Sequence, residues 1–149
     1  MDRPCVLLID DDEDVRHMTR VSLGFEGFDV LEAPDGTTGL DVARANAPDA
    51  IILDVMMPGR DGIDVLRELR ADPALGDIPV VILTAKAGAE QDGWAAGATA
   101  YLTKPFTGTA LAGTLRRMLE GGTDLRDTAL ARIGLAERLT AAADSLGRR

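Results

Sequence analysis

Val6-Leu7-Leu8-Ile9-Asp10-Asp11-Asp12 joins an unbroken apolar run to a row of carboxylates. Consecutive apolar residues without alternation fit a strand buried on both faces, as in a parallel sheet. A second run, Ala50-Ile51-Ile52-Leu53, ends on another acid, Asp54. Open α/β sheets build their sites just beyond the carboxyl ends of their strands. The two runs therefore bring several acids to one rim of one sheet. Like charges ~4 Å apart repel by roughly 4 kcal/mol at an effective dielectric of about 20, so the cluster needs a cation. All-oxygen ligation favours a hard ion, most simply Mg²⁺, with Mn²⁺ as the alternative.

The rest of the chain continues the alternation. Residues 5–10 read as a strand and 14–26 as a helix, with Val15, Met18, Val21, Ser22 and Phe25 at helical spacing and Gly27 as its stop. Residues 28–33 alternate as a half-buried strand. Asp35-Gly36 caps a helix that runs to Asn46, before Pro48. Residues 49–54 form the third strand, 57–62 a loop, and 63–71 a helix with Val65, Leu66 and Leu69 inward. A fourth strand spans 78–84. Residues 88–96 make a weak helix, because Gly88, Gly93 and Gly97 lower its propensity. A short strand covers 100–103, and a helix with Leu111, Leu115, Met118 and Leu119 apolar covers 107–120. The pattern predicts an α/β fold: a doubly wound, five-stranded parallel sheet with five helices on its two faces. After Gly121-Gly122, the residues Leu125, Ala129, Ile133, Ala136, Leu139, Ala143 and Leu146 recur every three or four positions, which predicts an extra amphipathic helix. The expected division is one domain over 1–121 and a helical tail over 122–149.

Composition narrows the function. The chain has 149 residues, 46% hydrophobic and only 3% aromatic, so its core is aliphatic. The net charge is −9. Residues 123–149 hold four acids and five arginines, so the body carries all of the negative surplus. An acidic body argues against nucleic-acid binding, which needs a basic face. The lone Cys5 excludes an intramolecular disulfide and fits a reducing compartment; opening an apolar run, it is expected to be buried. No apolar stretch approaches the ~20 residues of a membrane span. A cytoplasmic protein without membrane contact is expected.

Further groups converge on the same rim. Thr84 ends the fourth strand, and Lys104, followed by Pro105, comes after the fifth. Acids, a metal, a hydroxyl and an ammonium around one carboxylate suit phosphoryl transfer to that carboxylate. The segments VLLIDDDEDVR (6–16), AIILDVMMPGRDGIDVL (50–66), IPVVILTA (78–85) and AAGATAYLTKPF (95–106) resemble, in order and spacing, the receiver domain of two-component response regulators. The resemblance covers roughly residues 4–120 and implies a flavodoxin-like fold. It implies Asp54 as phosphoacceptor, and Asp10, Asp11, Asp54 and the backbone carbonyl of Met56 as Mg²⁺ ligands. Thr84 and Lys104 would hold the phosphoryl group, Tyr101 would turn inward with Thr84, and the Lys104–Pro105 bond would be cis. A histidine kinase or phosphotransfer protein would be the phosphodonor, and no reaction beyond self-phosphorylation and self-dephosphorylation is implied. A downstream protein would read the face made by the 88–96 and 107–120 helices, and a homodimer would use that face or the tail.

Departures from the family pattern are Thr99-Ala100, where an acid pair is common, and Arg60, where methionine is frequent. Two other readings compete. One is a receiver-like binding module that is never phosphorylated. The other is a phosphatase of the haloacid dehalogenase type, with Asp10 as nucleophile and Asp12 as its partner. For Asp12, Glu13 and Asp14 a simple helix-start role is the expectation, and His17 is expected at the surface.

Overall fold

A computed structural model describes residues 3–84 and 96–120. The expected helix over 88–96, with Trp94, and the expected tail helix lie outside the described residues.

Five parallel strands form one sheet: β1 (Cys5–Ile9), β2 (Asp29–Ala33), β3 (Ala50–Asp54), β4 (Val80–Thr84) and β5 (Ala100–Thr103), in the order β2-β1-β3-β4-β5. The helices are α1 (Glu13–Phe25), α2 (Gly36–Asn46), α3 (Gly62–Ala71) and α4 (Gly108–Glu120). This is the doubly wound order, and the order in which strands are added reverses between the neighbours β1 and β3.

The central strands are buried on both faces, which is why their sequences read as unbroken apolar runs. Their side chains alternate between two aliphatic layers. Leu7, Ile9, Ile51 and Leu53 pack with Leu40 of α2 and Leu66 and Leu69 of α3. Val6, Leu8, Ile52 and Leu83 pack on the other face with Leu23 of α1 and Leu111 and Leu115 of α4.

Helix starts follow the capping rules. Asp12, Asp35 and Asp61 each accept backbone N–H bonds from the first turn of the helix they precede. Gly27 has φ +98° just past α1, the left-handed stop expected from the sequence. Gly39 lies against Ile9, where a side chain would collide with the strand. Its propensity cost thus goes with close helix–sheet packing.

Two expectations need correction. On α1 the buried residues are Thr19 and Leu23, whereas Met18, Val21 and Phe25 face outward. The apolar stripe marked by spacing is therefore not the one that meets the sheet. Ser22 explains part of the choice: it lies so close to Gly108 that a β-carbon there would collide with its Oγ, so small residues set the α1–α4 approach. Cys5 is only half-buried; burial, then Asp49 and Asp29, raise its thiol pKa and keep it protonated.

Candidate functional site

The strand register assembles the rim. Ile9 is paired with Leu53, so Asp10 and Asp54 emerge side by side at the reversal between β1 and β3. Asp54 is paired with Leu83 and Thr84 with Thr103, which puts Thr84 and Lys104 on the same edge. The Lys104 N–H donates to the Thr84 carbonyl at 2.7 Å, and the Lys104–Pro105 peptide is cis.

Asp54 is only 3% exposed. Lys104 Nζ donates to its Oδ2 at 3.2 Å, and the Met56 N–H donates to its Oδ1 at 3.1 Å. Carboxylate oxygens of Asp10, Asp11 and Asp54 all lie within 4.8 Å of one another. Asp10 is 1% exposed and Asp11 is exposed. The Asp12 N–H donates to Asp10 Oδ1 at 3.0 Å, while Asp10 Oδ2 is buried with no hydrogen-bond partner. Burial, followed among the raising causes by the neighbouring Asp54, lifts the Asp10 carboxyl from 3.8 to about 6; the Asp12 amide and Lys104 act the other way.

A hard cation fits this donor set. A buried carboxylate oxygen without a hydrogen-bond partner, on a residue clustered with two further carboxylates, is costly unless a cation shares the charge. Asp10, Asp11 and Asp54 are the side chains that would hold one; the Met56 carbonyl is the further ligand that the resemblance implies. Thr84 is fully buried, and Tyr101 is half-buried against the aliphatic layer that faces α2 and α3. Asp12 is committed to the α1 cap through Asp14 N at 3.0 Å and Val15 N at 3.1 Å. It is therefore unavailable as the partner of Asp10 that the phosphatase reading requires. His17 is exposed, as expected.

The model of the response regulator receiver domain matches residues 6–116. The chain belongs to this family. The receiver is 41% identical over 116 residues to the transcriptional regulatory protein CseB of Streptomyces avermitilis, covering 76% of this chain and 48% of that protein. It is 43% identical over 116 residues to the response regulator MprA of Mycobacterium sp. strain KMS, covering 76% and 50%. The chain thus spans about half the length of these curated relatives. Among solved structures, the chemotaxis response regulator CheY4 of Vibrio cholerae superposes with a TM-score of 0.74 at 35% identity, over 78% of this chain and 99% of that one. The receiver domain of Francisella response regulator 1452 gives 0.72 at 34% identity, over 78% and 97%. Receivers are signalling modules of two-component systems rather than classical enzymes. Among the described residues, no helix of this receiver is long and apolar enough to cross a membrane.

The site has two contributors that its sequence motifs did not reveal. Arg16 Nη1 donates to the Asp10 carbonyl at 2.8 Å, and its Nε lies 3.5 Å from Glu32 Oε1. It thereby fixes the backbone that carries Asp10. Gly62, read from sequence as the end of the 57–62 loop, passes so close to β3 that an added β-carbon would meet the Asp54 carbonyl oxygen and lie 2.8 Å from Val55 Cα. A glycine at the first position of a helix, where no special φ is needed, was the available signal.

Proposed function

We propose that this receiver is a phosphorylation-dependent switch whose phosphoacceptor is Asp54. The observation that carries this is a buried carboxylate that has an ammonium at 3.2 Å and two more carboxylates beside it. Asp54 needs no general base, because a carboxylate is ionised at neutral pH. An Asp54 oxygen attacks the phosphorus of a phosphohistidine on a kinase or phosphotransfer protein. The P–N bond breaks, an acyl phosphate forms, and the imidazole takes up a proton.

Lys104 pairs with the new phosphoryl oxygens, and the Thr84 hydroxyl donates to one of them. Asp10 and Asp11, with the Met56 carbonyl, hold Mg²⁺ (or Mn²⁺), which offsets the charge of the carboxylates and the phosphoryl group. Drawing Thr84 inward opens space for Tyr101, and the resulting population shift reaches a downstream protein through the surface beside β5 and α4. Hydrolysis of the acyl phosphate at the same site resets the switch. The acidic body, and a single cysteine that can form no intramolecular disulfide, support a cytoplasmic protein that signals by protein contact.

The test is intact mass after incubation with Mg²⁺ and a small phosphodonor. Wild type should gain one phosphoryl group that hydroxylamine removes, and Asp54→Ala should gain none. Equal labelling of both proteins overturns the assignment.

A further inference from the structure

Arg16, Thr19 and Leu23 follow one another along α1 at intervals of three and four, so they share one face of the helix. Thr19 and Leu23 are the buried residues of that helix, and the Arg16 side chain is only 15% exposed. A charge on the inward face of a helix is costly unless it is paired. Arg16 is paired twice: its Nη1 donates to the Asp10 carbonyl at 2.8 Å, and its Nε lies 3.5 Å from Glu32 Oε1.

Glu32 belongs to the edge strand β2, where it is paired with Leu8 of β1. Paired residues of neighbouring strands point to one face of the sheet. Leu8 packs on the α1 side, so the Glu32 carboxylate meets Arg16 there. Its other oxygen accepts from Arg20 Nη1 at 3.2 Å, one helical turn further along α1. Glu32 is not one of the carboxylates of the cation cluster.

The Asp10 backbone is thereby tied to β2 on both sides. Its N–H donates to the Ala33 carbonyl at 3.1 Å, and its carbonyl accepts from Arg16, which Glu32 holds. The Asp12 N–H takes Asp10 Oδ1. These bonds fix the peptide unit that joins Asp10 to Asp11, two of the three carboxylates of the cluster.

We propose that Glu32 is a positioning residue for the cation site and acts through Arg16. The proposal rests on the reading of Asp10, Asp11 and Asp54 as a Mg²⁺ site. Arginine is long and rich in rotamers, so a single bond to a carbonyl holds it poorly. Asp12 and Glu13, four and three residues back on the helix, are exposed carboxylates within reach of its guanidinium. Glu32 holds the guanidinium inward against that competition, and the Asp10–Asp11 peptide keeps its orientation.

Mg²⁺ titrations followed by amide resonances, on a double-mutant cycle, test this. They are run at about 1 M salt, where a Debye length of about 3 Å screens the charge of Glu32 from the cation. Glu32→Ala should weaken Mg²⁺ binding about tenfold, the low end for loss of a contact that supports a metal ligand. In an Arg16→Met background the same substitution should change binding less than twofold, because the link is already cut. Arg20→Met, on an exposed side chain, should also stay within twofold. In chelator, the Asp11 amide resonance should move in Glu32→Ala as it does in Arg16→Met. Should Glu32→Ala not fold, Glu32→Gln takes its place in the cycle. Binding by Glu32→Ala as tight as wild type overturns the proposal. Losses that multiply to about a hundredfold in the double variant also overturn it, since Glu32 would then act without Arg16. A loss in Arg20→Met equal to that in Glu32→Ala overturns it as well. Wild type that binds no Mg²⁺ overturns the metal reading and this proposal with it, whereas the preceding outcomes leave the metal reading intact. No arm of the cycle depends on phosphorylation of Asp54.

Discussion

Asp10→Asn removes the most heavily penalised charge of the site without changing its shape. The carboxylate is 1% exposed, and its Oδ2 has no hydrogen-bond partner. Its pKa rises from 3.8 to about 6, chiefly through burial. A raised folded pKa means that stability is fully present below 3.8 and is lost as pH rises through about 6. At ~1.36 kcal/mol per pKa unit, the loss approaches ~3 kcal/mol when Asp10 is fully ionised. Asparagine has no such penalty. Its Oδ1 can keep the bond from the Asp12 N–H, and its Nδ2 gives Asp54 a donor. In chelator, the variant should therefore exceed wild type by ~3 kcal/mol at about pH 7.5, roughly 10 °C in melting temperature. The gap should shrink to ~1 kcal/mol at about pH 4.5, where much of the penalty has been relieved. Adding Mg²⁺ at the higher pH should stabilise wild type by mass action and the variant much less. Urea unfolding across this pH range, with chelator and then with Mg²⁺, is the assay. A variant less stable than wild type in chelator at the higher pH would refute the reasoning, as would a gap that ignores pH.

Other perturbations probe the supports of the site. Arg16→Met frees the Asp10 carbonyl and should weaken Mg²⁺ affinity by roughly tenfold, as loss of a supporting contact to a ligand typically does; unchanged metal titration would show that Arg16 only packs. Gly62→Ala forces a methyl group onto the Asp54–Val55 backbone and should cost about 1–3 kcal/mol in denaturant unfolding, with slower phosphorylation of whatever folds. Asp35→Ala removes the cap that accepts from Thr38 N at 2.7 Å and should cost about 1 kcal/mol. The Thr38 bonds lower the Asp35 pKa below 3.8, so the cap's contribution is present above 3.8 and fades as pH falls through the folded value. Wild type and variant melts should therefore converge in strong acid.

The sheet was legible because buried parallel strands are apolar at every position, and Val6–Ile9 and Ala50–Leu53 satisfy that with nothing else competing. The acids at the strand ends were legible for a related reason. Parallel strands must all finish on one rim, so Asp10, Asp54 and Thr84, with Lys104 beyond the last strand, can be placed together before any coordinate is known. Helix α1 was not legible in the same way. It offers two apolar stripes, and spacing alone cannot say which meets the sheet; the tight Ser22–Gly108 approach and the burial of Leu23 and Thr19 decide it. Arg16 and Gly62 were equally hidden. An arginine that grips a carbonyl six residues back, and a glycine that makes room for a neighbouring backbone, leave no pattern along the chain, since each depends on how close two elements come. Sequence by itself fixed which residues can occupy the rim, because chemistry and strand direction are local properties. Only the tertiary structure decided how deeply Asp10 is buried, which of its oxygens is left without a partner, and which face of α1 stays in water. Those depend on packing distances between segments far apart in the chain.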